Sequence, residues 1–432
     1  MLAPVDIAPL VYFRVVFGAV MLWKVVRYFR HGWIERYYIE PQLYFAYYGF
    51  EWVRPWPGVG MYWHFIGLGL LATCILLGLF YRLAAGLFFL GFAYVFLLDE
   101  TNYLNHFYLI SLVSLLMVFL PAHRAASLDA ARRPGWKSDR VAAWSLWLLR
   151  FQVAVPYVFG ALAKMNPDWL RGEPMRLWLA ERAETPLLQS LLTQEWFVYG
   201  MSYGGLLFDL LVVPLLLWSR TRWLAVGLTV VFHVTNAFLF DIGVFPWLML
   251  LATPIFFPPA SLRRAAEVFG ATPAAVGGPA AMTPTPTARQ RAWFFAVGLY
   301  VFLQVVMPFR PWLYPGDPSW TEQGHRFSWH MKLRDKRGAA SFLVRDPASG
   351  ESWVVRPETY LTRRQLVQMP THPDMVLRFA HFLEQEWRRR GHADVAVYAD
   401  ARVSLNGRPA EPLVDCNVDL TEERRSLMQS TW

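Results

Sequence analysis

The sequence predicts a polytopic α-helical membrane protein of about nine transmembrane helices, followed by a C-terminal α+β domain outside the bilayer. Three observations carry this. Hydrophobic residues make up 55% of the 432 and charged residues 17%, against roughly a quarter charged in soluble domains. The charge is split, with 33 charged side chains in residues 311–432 and 40 in residues 1–310. Apolar runs of membrane-spanning length recur through the first part. A single soluble globule and a disordered chain are excluded. The domains are therefore 1–310, in the membrane, and 311–432, in water.

The runs fall at roughly 9–27, 61–80, 82–98, 106–120, 144–163, 201–218, 222–240, 243–258 and 292–309. The first, Pro9 to Val26, lacks a basic flank and a small-residue cleavage site, so it reads as a retained span. With the N-terminus cytoplasmic, the inside loops hold Arg82, then Arg124, Arg132, Arg133, Lys137 and Arg140, then Arg220 and Arg222, then Arg263, Arg264, Arg289 and Arg291. Two short outside loops are acidic, with Asp99 and Glu100 in one and Asp241 in the other. This is the positive-inside pattern, and an odd span count puts the C-terminal domain outside. Residues 271–287 read as a flexible cytoplasmic linker.

The C-terminal domain alternates like strands over Ala340–Arg345 and Trp353–Arg356, around the turn 346–350. Residues 374–390 place Met375, Leu377, Phe379, Phe382, Leu383 and Trp387 on one helical flank. Val395 to Leu405 reads as another strand, closed by the hairpin signal Asn406-Gly407.

The net charge of +9 is no nucleic-acid signal. The C-terminal domain holds 17 basic and 16 acidic residues, and no basic run with interleaved aromatics tracks a phosphate backbone. Two cysteines, Cys74 and Cys416, exclude a disulfide framework. No metal-ligand spacing, phosphate loop, dinucleotide fingerprint or nucleophile elbow occurs, so no metal is expected.

The polar residues at the spans carry the chemistry. Asn105 and His106 open span four, Tyr157 and Lys164 close span five, and His233 and Asn236 close span seven. All six fall near the same outer boundary. Lys164 is the most informative, because the chain has 36 Arg and five Lys. Where any cation would serve, this composition uses guanidinium. A lysine at a membrane boundary then suggests an amine that must give up its proton, which arginine cannot do. The plainer alternative is a lysine snorkelling to the interface. His106 is either an acid–base group or an interfacial cap, and His233 with Asn236 shares one helical face at i,i+3. Asp209 lies within span six and needs a partner, with Arg150 the candidate.

At these residues the chain resembles the vitamin K-dependent gamma-glutamyl carboxylases. The resemblance rests on 99–106 (DETNYLNH), 157–164 (YVFGALAK) with Pro167-Asp168-Trp169, and 232–236 (FHVTN) through Gly243-Val244-Phe245-Pro246. It continues in Phe327-Ser328-Trp329-His330-Met331 and in Val414-Asp415 to Asp419. It implies a reduced vitamin K or menaquinol-type naphthohydroquinone, O2 and CO2 as co-substrates, and carboxylation of a Glu-containing protein or peptide. It implies Lys164 as the base and His106, with Asn105, as the group orienting the hydroquinone oxygen. Tyr157, His233 and Asn236 would line the pocket, and Trp329, His330 and Arg334 would meet the peptide substrate. At Arg334 the family carries a histidine implicated in handling the glutamate. Two other readings stay open: a hydroquinone-epoxidising membrane oxidoreductase without protein carboxylation, and a non-catalytic scaffold or lipid-binding protein. The absence of glycosylation sequons favours a bacterial source, hence an inner-membrane location.

Overall fold

The computed structural model describes residues 1–182, 186–240, 242–268, 287–427 and 432. Asp241 and the linker 271–287, but for Thr287, lie outside the described residues. The membrane part contains α1 (Ala8–Arg30), α2 (Gly60–Leu77), α3 (Tyr81–Leu97), α4 (Asn105–Phe119), α5 (Ala143–Lys164) and α6 (Glu173–Glu181). It continues with α7 (Glu195–Leu217), α8 (Arg222–Leu239), α9 (Phe245–Ala252), α10 (Pro259–Val268) and α11 (Ala288–Val306).

Every apolar run is thus helical, but the helix lengths do not show nine crossings. Among the described residues six helices are long and apolar enough to span a bilayer, and a seventh follows if Phe245–Phe256 and Pro259–Ala265, bent by 116°, count as one. The bend falls at Pro258-Pro259, where the missing N–H groups break the helix. The helices α3 and α4 have 17 and 15 residues. At 1.5 Å per residue they rise about 25 and 22 Å, short of the ~30 Å hydrocarbon core. What cuts this stretch is a turn, Glu100–Asn102, capped by the Asp99 carboxylate accepting from the Thr101 N–H at 2.8 Å.

The chain start is pinned to the head of α5. The strand β1 (Pro4–Asp6) pairs antiparallel with β2 (Arg140–Ala142), and Arg263 of α10 donates to Asp6 at 2.7 Å. The bundle interior is one apolar core, with Phe17 on α1, Ala72 on α2, Ile110 on α4 and Leu149 on α5 all fully buried.

The C-terminal sheet runs in the order β4 (Ser352–Val355), β3 (Lys336–Arg345), β5 (Ala396–Leu405), β6 (Glu411–Pro412), all antiparallel. The alternation puts Phe342 and Val344 of β3 and Val397, Ala399 and Ala401 of β5 on one face. That face packs on Met375, Phe379 and Leu383 of α12 (Pro373–Arg389). Asn406 and Gly407 both take positive φ, +52° and +75°, and turn the chain from β5 towards β6.

The two parts are fastened together. Phe45, from the loop after α1, is fully buried in the core of the C-terminal domain. Gln365 donates to the Leu43 carbonyl at 2.7 Å and to Asp99 at 3.1 Å, and Asn406 donates to Asp168 at 2.8 Å. In return, Trp329 is fully buried in the core of the bundle, 5.0 Å from the Tyr108 ring.

Candidate functional site

The six polar residues picked out at the span ends come together. Asn105 and His106 from α4, Tyr157 and Lys164 from α5, and His233 and Asn236 from α8 line one cavity of about 510 Å³. Its ceiling is C-terminal-domain chain, including His325, Arg326, Arg334 and His372. Its walls are largely aromatic, with Phe208 stacked on Phe232 at 4.0 Å and Phe245 on His106 at 5.9 Å.

Lys164 is the last residue of α5 and is buried. Its ammonium nitrogen is bonded to Oδ2 of Asp209 on α7, and both side chains are under one-tenth exposed. Asp209 also lines the cavity. The partner expected for Asp209 was Arg150, and the structure corrects this: Arg150 donates to the Ile255 carbonyl at 2.9 Å. The helix α7 begins at Glu195, not near 201, so 14 residues precede Asp209 and bring it level with the end of α5. Gly160, one turn before Lys164, lets Asp209 and Met331 approach this flank closely. A Cβ there would lie 3.2 Å from Asp209 Oδ2 and 3.4 Å from the Met331 methyl.

Tyr157 Oη lies 2.8 Å from His233 Nε2. The other ring nitrogen of His233, Nδ1, is buried without a hydrogen-bond partner among the described residues. Asn105 is already engaged at both ends of its carboxamide. It accepts from Tyr103 Oη at 3.0 Å and donates to the His330 carbonyl at 3.1 Å. Tyr103 Oη in turn accepts from the Phe327 N–H at 2.7 Å. This chain of bonds hangs the segment 327–330 from the start of α4. No hydrogen bond ties the His106 ring among the described residues, and the residue lines the cavity.

The three residues expected to meet a peptide divide. Arg334 is on the cavity wall, whereas Trp329 and His330 do not line it. Arg334 grips Glu322 through two bonds of 2.5 and 2.6 Å, and Lys336 adds a third of 3.0 Å. His372 and His325 approach the same carboxylate at 3.6 and 3.8 Å. Burial opposes ionisation of Glu322, yet the Arg334 guanidinium, ahead of His372 and Lys336, holds its carboxyl well below the usual range. Burial, reinforced by Arg334, pushes the His325 ring well down. Glu322, Phe327, Trp329 and Lys332 all take positive φ. Such backbone costs about 1–3 kcal/mol per residue and persists only where surroundings impose it.

A second cavity, also about 510 Å³, meets the first at Glu100 and Arg326, which line both. Arg326 lies 3.3 Å from Glu100 and 3.2 Å from Asp374. Burial pushes the Glu100 carboxyl up to about 7, against the pull of Arg326.

Sequence reasoning missed the pairing of Asp209 with Lys164, and it missed Glu322 and His372. The first had a signal, since two ionisable residues in neighbouring apolar helices require one another. The second pair comes from two separate segments of a domain whose topology the sequence left open.

These features define a class: a helical integral membrane protein with a mainly apolar cavity that gathers a few polar groups, roofed by a C-terminal domain with a small sheet. The HTTM domain family matches residues 2–260, more than half of the chain, and the lumenal domain of the vitamin K-dependent gamma-carboxylases matches residues 289–432. The chain belongs to the vitamin K-dependent gamma-carboxylase family, which implies a vitamin K cofactor. No solved structure matches it.

Proposed function

We propose that the cavity holds a reduced naphthoquinone of the vitamin K or menaquinol type, and that the chain couples its oxygenation to carboxylation of a peptide glutamate. The observation that carries this is the gathering of Lys164, His106, Asn105, Tyr157, His233 and Asn236 on one cavity wall. The residues fit the group: aromatic walls suit a flat ring, and the unpartnered His233 Nδ1 and the untied His106 ring offer it hydrogen bonds. With O2 and CO2, such a hydroquinone supplies the strong base that takes a γ-hydrogen from glutamate.

The residues around it have separable tasks. Lys164 takes the hydroxyl proton, a step whose loss typically costs two to four orders of magnitude. His106 hydrogen-bonds the ring oxygen. Tyr157 and His233 brace α5 against α8. The segment 325–331 closes the cavity towards the C-terminal domain and keeps water from the reacting centre. On the opposite side α8 is the open wall: Leu228 and Val231 line the cavity yet are 41% and 65% exposed. A lipid-soluble quinone reaches the cavity past this helix.

One observation favours the narrower activity, hydroquinone epoxidation without protein carboxylation. The guanidinium of Arg334, at the position the family uses for the glutamate, is already engaged by Glu322. We place the protein in a bacterial inner membrane, N-terminus cytoplasmic and C-terminal domain outside, on the arginine-rich loops. Reporter fusions after Trp432 that work only in the cytoplasm would overturn that orientation. The activity itself is tested with purified protein, a reduced naphthoquinone, a Glu-containing peptide and labelled bicarbonate. Epoxide and fixed label together support the coupled reaction, epoxide alone the narrower one, and neither product the scaffold reading.

A further inference from the structure

Lys164 is not a free amine, because Asp209 touches it. Two basic sites in contact share one proton in either of two neutral forms, ammonium with carboxylate or amine with carboxylic acid. Only the second form has an amine able to take another proton. The environment of Asp209 is unlike that of two other buried carboxylates, Asp99 and Asp129. Asp99 accepts from the Thr101 N–H, the Thr101 hydroxyl and Gln365, and Asp129 accepts from the Phe80 and Tyr81 N–H groups. Among the described residues Lys164 is the one hydrogen-bond donor to Asp209. A carboxylate held only for structure is normally bonded on several sides. Asp209 instead keeps an unfilled side on the cavity, and the missing side chain of Gly160 lets the pair pack close against α5.

We propose that Asp209 is the terminal proton acceptor of a Lys164–Asp209 dyad, so that the base in this cavity is the pair. This rests on the hydroquinone reading of the cavity. In the step, the ammonium proton of Lys164 moves to Asp209, breaking an N–H bond and forming an O–H bond. Lys164 then takes the hydroxyl proton of the hydroquinone: that O–H bond breaks, its electron pair stays on oxygen, and a new N–H bond forms. The products are an anionic ring oxygen, a Lys164 ammonium and a protonated Asp209. The site is neutral before and after, which a buried location demands, and the ammonium stays beside the new anion. No oxidant or reductant is consumed.

The test is anaerobic, on whole protein in lipid nanodiscs, with a reduced naphthoquinone as probe. Ultraviolet absorption reports ring-oxygen ionisation, and infrared difference spectra report a carboxylic acid C=O band. The expected result is ionisation with a new acid band. Asp209→Asn, close in shape, should lose the band and slow ionisation about a hundredfold or more, while Asp209→Glu retains part of both. Ionisation without an acid band in the wild type, or wild-type ionisation by Asp209→Asn, overturns the dyad and leaves the cavity assignment standing. Failure of the hydroquinone to bind at all removes the cavity assignment and the dyad with it.

Discussion

Tyr157 Oη and His233 Nε2 meet at 2.8 Å in the cavity lining, joining α5 to α8. With His233 Nδ1 already unpartnered, Tyr157→Phe leaves the ring with neither nitrogen bonded to protein. A buried polar group stranded in this way costs about 1–3 kcal/mol. The variant should therefore unfold at a lower temperature and show a raised KM for hydroquinone. Unchanged values for both would mean that the bond braces nothing.

The cluster around Glu322 makes stability depend on acid. Burial, with Arg334 adding to it, pushes the His330 ring down from 6.5 to about 4. Between those values the unfolded chain binds a proton that the folded one refuses. Stability then falls as pH falls, by up to about 1.4 kcal/mol per pH unit for one such group. Glu322, held well below its ordinary range, acts in the same direction further down, since its contribution is lost as pH drops through its folded value. Thermal unfolding should show a lower Tm at pH 5 than at pH 7, with a shallower dependence in His330→Gln. Equal slopes in the two proteins would contradict the assignment.

Gly407 tests how the C-terminal domain is seated. Its φ of +75° suits glycine, and a Cβ there would lie 3.2 Å from Leu177 on α6. Gly407→Ala should cost about 1–2 kcal/mol through backbone strain. It should also loosen the neighbouring bond from Asn406 to Asp168. Faster limited proteolysis near residues 406–412 is the expected outcome, and wild-type resistance would show that the turn tolerates a side chain.

Nine apolar runs and their loop charges were enough to place every long helix, because hydrophobic run length is a local property. The same runs did not show which of them cross. The α3–α4 stretch is cut by Asp99 and Glu100, and these are held by Gln365 and Arg326, more than 200 residues away. Strands β3 and β5 were legible from alternation, and their junction from Asn406-Gly407. In the site, Lys164 could be named from the rarity of lysine in this chain, and His106, Tyr157 and His233 as polar side chains at span ends. The partner of Asp209 was missed although a second ionisable residue in the neighbouring helix signalled it, since α7 starts six residues earlier than its apolar run and the depth of the carboxylate shifts with it. Nor could the grip of Arg334 on Glu322 be read from spacing alone.

The most direct measurement of the central claim compares epoxide formation from a reduced naphthoquinone by wild-type protein, Lys164→Arg and Lys164→Ala. Arginine keeps a cation beside Asp209 and should preserve the fold, but it cannot take the proton. Both variants should lose about two to four orders of magnitude in epoxide formation, with an added small amine partly restoring Lys164→Ala. Near wild-type epoxide formation by Lys164→Arg would show that Lys164 is only an interfacial cation, and the catalytic reading of the cavity would fail.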